Sequence, residues 1–314
     1  MKSLSRTIRN AIKSSSVRVF QLGQRFGIDV LPRHFYSSIP DLRELQKHTS
    51  WRKPWSMVGV SGADVDAQMA FVRRCCPEPV RSRIALEELL RYATQENGAP
   101  GFGPIESLVL YCFIATVKPR CIVQVGAGFS TAIILRAAAE AGHHVELTCI
   151  DPFPTTYLRR LGQERTIQLI PEPAQTAGLD TFTSIGDGDL LFIDSTHTVK
   201  VGSEVNRLIL EVLPRLRRGC YVHLHDIVLP YDYTRTLFSQ PFFPTESTLI
   251  HAYLADNQRC AICAALSMLH YARPAELREL FPEYTPSGND DGLETSPGHF
   301  PSSLYLQMTA DPIG

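Results

Sequence analysis

The 314-residue chain has no apolar run long enough to cross a bilayer and no internal repeat or low-complexity tract, which excludes a membrane-spanning segment and a repeat architecture. Large charge imbalance is also missing: the net charge is -1, so no global field argues for nucleic acid or a membrane. A disulfide framework is lacking too. The eight cysteines are scattered, Cys112, Cys121, Cys149 and Cys220 sit inside apolar runs, and the CxxC of Cys260 and Cys263 has no second pair to complete a zinc site. With the adjacent Cys75 and Cys76 they read as reduced core thiols of a cytoplasmic protein. Hydrophobic residues at 44% and charged residues at 20% are ordinary for a soluble globular chain.

What is present starts with IVQVGAGFST, Ile122 to Thr131, followed by LTCIDPFP, whose Asp151 lies twenty residues after Thr131. The pattern predicts a buried strand, a glycine turn, a helix and a second strand that delivers Asp151. Gly126 and Gly128 permit a tight turn and close approach of a ligand, with Ala127 between them and Ser130 placed to cap the helix. Asp151 then stands where a ribose diol would lie, next to Pro152. A dinucleotide site wants Gly or Ala where this chain has Thr131, because the helix must pack tightly on its strand. S-adenosylmethionine has no phosphate to seat and still needs a carboxylate for its ribose, so GxGxST with Asp151 suits it better.

Around this module, residues 1–100 read as a helical appendage with no strand series, ending at the Gly/Pro-rich ENGAPGFGP. Residues 101–314 read as α/β: a doubly wound, seven-stranded, mainly parallel sheet. Its strands are expected at 121–126, 144–151, 166–171, 189–194, 220–225, 260–266 and 302–308, with helices near 105–117, 131–141, 155–163, 176–184, 203–213 and 245–257. Residues 270–300 read as a surface excursion before the last strand. The first 28 residues carry Lys2, Arg6, Arg9, Lys13, Arg18 and Arg25 and no acid, with Leu4, Ile8 and Ile12 at helical spacing. We read a docking helix with a solvated basic face in preference to a transit peptide or a membrane-surface helix.

Two further strand ends are dense in polar groups. DLLFIDSTH delivers Asp194 and His197, and CYVHLHDIVLPYDY delivers His223, His225 and Asp226. Ligands of open parallel sheets gather at the carboxyl ends of strands, so these groups should converge beside the cofactor. Asp194, His225 and Asp226 offer donors for a divalent metal, magnesium or a softer transition metal, and His197 has the reach and the ordinary pKa of a general base. The plainer alternatives are a capping Asp194, a hydrogen-bonding His197 and a core His223. Tyr231 and Tyr233 of LPYDY fall where substrate would enter, and Gln175, after the third strand, falls near the adenine.

On these residues the chain from about Val30 to Leu306 resembles a bacterial family of class I S-adenosylmethionine-dependent methyltransferases. The carrying blocks are GAGFST, CIDP, LFIDSTHTVKVGSEVN and VLPRLRRGCYVHLHDIVLPYDY. A looser similarity reaches metal-dependent macrolide sugar O-methyltransferases and cephalosporin-hydroxylase-like proteins. That similarity implies Asp194 and Asp226 as metal ligands and His197 as the base, with His225 standing where those relatives place Glu. Gln124 stands where many class I methyltransferases carry an acid for the amino-acid end of the cofactor.

The function expected is O-methylation of a small molecule, with His197 and Asp194 at the reacting centre. Gln124, Gly126, Ala127, Gly128, Ser130, Thr131, Asp151, Pro152, Gln175 and Asp194 are expected around S-adenosylmethionine. The rivals are a metal-dependent, hydroxylase-like enzyme on the same fold and a non-catalytic partner protein with a decayed site. No basic, aromatic stripe points to nucleic acid, and a homo-oligomer is compatible with an appendage of this size.

Overall fold

The computed structural model describes residues 6–288 and 291–312, with side chains from Ser15 onward. Lys2 and Leu4 of the basic segment lie outside the described residues. The chain forms two compact units, Met1–Trp51 and Arg52–Gly314. In the first, α1 (Arg6–Arg25) is followed by an irregular stretch and by α2 (Leu42–Lys47), whose first turn is capped by Asp41 Oδ1 accepting from Arg43 and Glu44 N–H at 3.1 and 3.3 Å.

The second unit is built on a seven-stranded sheet: β1 (Cys121–Val125), β2 (Glu146–Ile150), β3 (Gln168–Ile170), β4 (Leu190–Ile193), β5 (Tyr221–Leu224), β6 (Cys260–Ala265) and β7 (Leu304–Met308). The spatial order is β3-β2-β1-β4-β5-β7-β6. Strands β1 to β5 run parallel, and β7 is antiparallel to both β5 and β6. All seven lie within the expected ranges. β4 is the clearest, because a strand covered on both faces is a continuous apolar run: its Leu190 and Phe192 pack into one core, Leu191 and Ile193 into the other, all at most 1% exposed.

The first core is closed by α3 (Val65–Cys75), α4 (Glu78–Arg81), α5 (Leu86–Asn97), α6 (Pro104–Val117), α7 (Phe129–Glu140) and α8 (Thr156–Gln163). The second is closed by α9 (Leu179–Thr183), α10 (Glu204–Arg207), the wide turn Leu208–Val212 and α11 (Glu246–Leu254). Two expectations need correction. Residues 1–100 are not one appendage, because Met69, Val72, Leu89 and Ala93 of α3 and α5 are buried in the same core as Ile122 and Phe192. Nor are residues 270–300 all surface: α12 (Leu266–Ala272) and α13 (Pro274–Leu280) begin them, with Leu277, Phe281 and Tyr284 at most 1% exposed. Pro274 opens α13, where its missing N–H costs nothing.

Candidate functional site

Sheet register aligns the site. Val125 pairs with both Ile150 and Ile193, and Ile193 pairs with Leu224. The next residue on each strand is therefore Gly126, Asp151, Asp194 and His225, side by side along the carboxyl edge. Backbone bonds continue the ladder there, from Asp194 N to Val125 O at 2.9 Å and from His225 N to Ile193 O at 3.0 Å. Because β7 runs antiparallel, Ser302 and Ser303 before it reach the same edge, with Ile227 N donating to Ser302 O at 2.8 Å.

The glycine turn is held from within the protein. A Cβ at Gly126 would lie 1.7 Å from Asp194 O, and one at Gly128 would lie 2.6 Å from Asn97 Oδ1. The close approach expected for a ligand is thus made by the chain's own neighbours, while Gly126 still lines the cleft. Gly128, Ser130 and Thr131 are buried. Thr131, not Ser130, caps α7: its Oγ1 accepts from Gly128 N–H at 2.9 Å. Gln124 is fully buried beneath the turn, donating to Ser130 Oγ and Gly126 O at 2.8 and 3.1 Å and accepting from Thr131 Oγ1 at 2.9 Å. This side chain braces the loop and has no surface to offer a ligand.

Asp151 ties the same loop from the other side. Its Oδ2 accepts from Ala127 N–H at 3.1 Å and its Oδ1 from Phe153 N–H at 2.7 Å. Beside it opens a cleft of about 400 Å³ lined by Gly126, Asp151, Pro152, Gln175, Asp194 and Glu204 among others, a volume within the range of small-molecule sites. Gln175 donates to Glu204 Oε2 at 3.2 Å, and Glu204 Oε1 accepts from Thr196 N–H at 2.9 Å.

At the Asp194 side of the cleft the polar cluster assembles. Asp194 Oδ1 lies 3.4 Å from His197 Nε2 and 3.3 Å from His225 Nδ1. Asp226 stands 3.7 Å from each imidazole, and its Oδ1 accepts from Ser302 Oγ at 2.9 Å. Asp194, His197 and His225 offer ligand atoms within 4.8 Å of one another. His197 and Asp226 both adopt left-handed backbone, φ 57° and 53°, which costs about 1–3 kcal/mol each and tends to mark sites whose geometry is fixed by their surroundings.

Two acids that the sequence reading passed over hold the imidazoles. Glu246, 1% exposed at the start of α11, places Oε2 2.9 Å from His197 Nδ1. Glu106, 3% exposed in the first turn of α6, lies 3.5 Å from His225 Nε2 and accepts from Ser302 N and Ser303 Oγ at 2.9 Å. Each is a lone acid in an apolar stretch, IESLVLYCF and ESTLIHAYL, and a buried carboxylate needs a partner. That was the available signal.

The carboxylates set the charge of the cluster. Burial opposes protonation of His197, yet hydrogen bonds to Asp194 and Glu246 and the charges of Glu246 and Asp226 outweigh it and raise its pKa to about 10. Burial likewise opposes charge on His225, and Glu106 and Asp194 lift it well above the usual imidazole range. His197 therefore holds a proton at neutral pH while the acids around it are uncompensated, instead of standing as the free base expected. The donor set suits a dication: His197 Nε2 and His225 Nδ1 converge on the carboxylates of Asp194 and Asp226. Mixed N/O donors favour a transition metal over magnesium.

Other expected site residues lie elsewhere. Tyr231 and Tyr233 are 9% and 8% exposed and absent from the cleft lining. Tyr233 donates to Arg52 O at 3.1 Å and to Asp291 O, and Tyr231 packs on Tyr233 and Tyr271. They lock the excursion down. His223 is a core residue, stacked on Phe192 at 4.3 Å and bonded to Ser303 Oγ at 3.0 Å, with burial pushing its pKa down to about 3.

Residues 123–227 match the model of a family described as a methyltransferase domain. That segment carries the glycine turn, Asp151, Asp194, His197, His225 and Asp226, and leaves out Glu106 and Glu246. An uncharacterized protein of Archaeoglobus fulgidus is 26% identical over 167 residues, which is 49% of this chain and 72% of its own length. Among solved structures, the SAH-bound methyltransferase PaMTH1 of Podospora anserina aligns with 90% of this chain and 99% of its own, at 12% identity and a TM-score of 0.39. The branched-chain polyamine synthase of Thermus thermophilus aligns with 75% and 69%, at 12% and 0.42.

Proposed function

We propose that the chain is an S-adenosylmethionine-dependent methyltransferase that methylates a hydroxyl of a small molecule. One observation carries the reading: register brings Gly126, Asp151, Asp194 and His225 into one row beside a cleft of about 400 Å³, inside the segment that matches the methyltransferase domain. Asp151, with the Ala127 and Phe153 amides on its oxygens, presents its carboxylate edge to the ribose of the donor. Pro152 and Gln175 line the adenosine end, and Asp194 marks the end where the methyl group leaves.

Asp194, His225 and Asp226 form the ligand set for a dication, which when bound supplies Lewis acidity for an acceptor hydroxyl. His197, oriented through Nδ1 by Glu246, directs Nε2 at the same point and receives the acceptor's proton. Neutralising Asp194 and Asp226 would remove charges that keep His197 protonated, lowering its pKa and freeing Nε2 to take a proton. The methyl transfer is an in-line displacement, and the protein's part is positioning.

The test is transfer of labelled methyl from S-adenosylmethionine to a panel of polyhydroxylated and phenolic acceptors, with and without added Mg²⁺, Mn²⁺ or Ni²⁺. The reading expects transfer that His197→Ala abolishes. Transfer undiminished in that variant removes His197 from the chemistry.

A second reading has one observation in its favour: Asp194, His197 and His225 make a two-histidine, one-carboxylate set, the donor combination of non-haem iron oxygenases. Stoichiometric iron in purified protein that binds neither S-adenosylmethionine nor its demethylated product supports it. Binding of either nucleoside with no iron eliminates it.

A further inference from the structure

The first compact unit carries a feature that methyl transfer does not use. Met1–Trp51 holds nine Lys and Arg against three Asp and Glu, while the remainder of the chain carries seven more acids than bases. The near-zero net charge thus conceals two units of opposite sign. Within the first, Asp41 pairs with Arg33 and Glu44 with Lys47 at 2.6 Å. Asp29 is the only acid in the first forty residues.

The same unit concentrates exposed apolar side chains. Val19 and Leu22 on α1 and Phe26 just beyond it are 50%, 55% and 76% exposed, and their spacing puts them on one helical face. The chain then reverses tightly against the helix: Ile28 N donates to Gly23 O at 3.0 Å, and a Cβ on Gly23 would meet Ile28 O at 2.5 Å and Val30 Cγ2 at 3.3 Å. The reversal sets Ile28 and Val30 beside the end of α1. Phe35 and Tyr36 follow at 81% and 84% exposed.

We propose that α1 and the segment through Ile39 dock on the surface of an anionic lipid bilayer. A basic helix with one apolar face, too polar to span, lies in the interface with that face about 5–10 Å deep and its Lys and Arg among anionic headgroups. Among the described residues no helix is long and apolar enough to cross. An anionic bilayer offers both headgroup charge for the Lys and Arg and an apolar layer for Val19, Leu22 and Phe26, whereas two copies meeting through this face would bring two strongly basic units together.

Sedimentation of the full chain with vesicles tests this. The chain should partition onto phosphatidylcholine vesicles containing phosphatidylglycerol and stay in solution with phosphatidylcholine alone. Arg18→Gln and Arg25→Gln should each weaken partition about fivefold. Leu22→Ser with Phe26→Ser should abolish it while circular dichroism and thermal melting stay unchanged, since these side chains are exposed. The proposal is overturned if wild type ignores the anionic vesicles, or if Leu22→Ser with Phe26→Ser binds as well as wild type. It is also overturned if light scattering shows a wild-type dimer that Phe26→Ser splits, which would make the face a contact between copies.

Discussion

Glu246 grips His197 at both ends: its N–H donates to the His197 carbonyl at 3.2 Å, and its Oε2 meets His197 Nδ1 at 2.9 Å. The N-terminus of α11 thereby fixes both the left-handed backbone of His197 and the direction of its ring. Carboxylate partners of this kind set imidazole tautomer and orientation, and their loss costs about 10–100-fold in metal affinity or activity. Glu246→Gln keeps the shape and removes the charge. We expect a 10–100-fold drop in methyl transfer with the melting temperature little changed, measured by initial rates and calorimetric scanning. A variant with full activity would show that Glu246 serves packing alone.

Gln124 leads to an expectation opposite to that of the resemblance. A family-like acid at this position should improve cofactor binding, but here the amide donates to Gly126 O and Ser130 Oγ inside the turn. Gln124→Glu removes that donor and buries a carboxylate, so we expect a loss of about 1–3 kcal/mol of stability. Chemical denaturation measures it. Unchanged stability with tighter binding of S-adenosylmethionine would restore the family role.

The cysteines supply a pH test of the core. Burial pushes Cys75, Cys149, Cys260 and Cys263 up to about 12 and Cys220 to about 11, and burial with a Glu146 hydrogen bond does the same for Cys121. The thiolate is the reactive form, so native thiols should resist alkylation near neutral pH and gain rate as pH rises toward those values. In denaturant all eight should react. Rapid labelling of Cys149 in the native protein at pH 7 would contradict its burial.

Much of the fold was legible because β4 and β5 are apolar on both faces, and their polar ends, Asp194 with His197 and His225 with Asp226, fall where parallel strands present ligands. The helices α12 and α13 were not legible, since Pro274 reads as a break in a chain that in fact restarts there. Glu106 and Glu246 were missed for another reason. They reach the cluster from helices 88 residues before Asp194 and 52 after it, and only the tertiary packing of α6 and α11 brings them to the sheet edge. Tyr231 and Tyr233 sit beside the right strand in sequence, yet the turn after β5 carries them against Arg52, Tyr271, Asp291 and Gly292 instead of into the cleft.

Calorimetric titration of the full chain with S-adenosylhomocysteine, repeated with Asp151→Ala, tests the central claim most directly. Asp151 supplies both the strap on the glycine loop and the carboxylate proposed for the ribose. The account predicts one site per chain in the wild type and affinity reduced at least about tenfold in the variant, since two charge-assisted hydrogen bonds are lost. No binding by the wild type, or equal binding by Asp151→Ala, would contradict it.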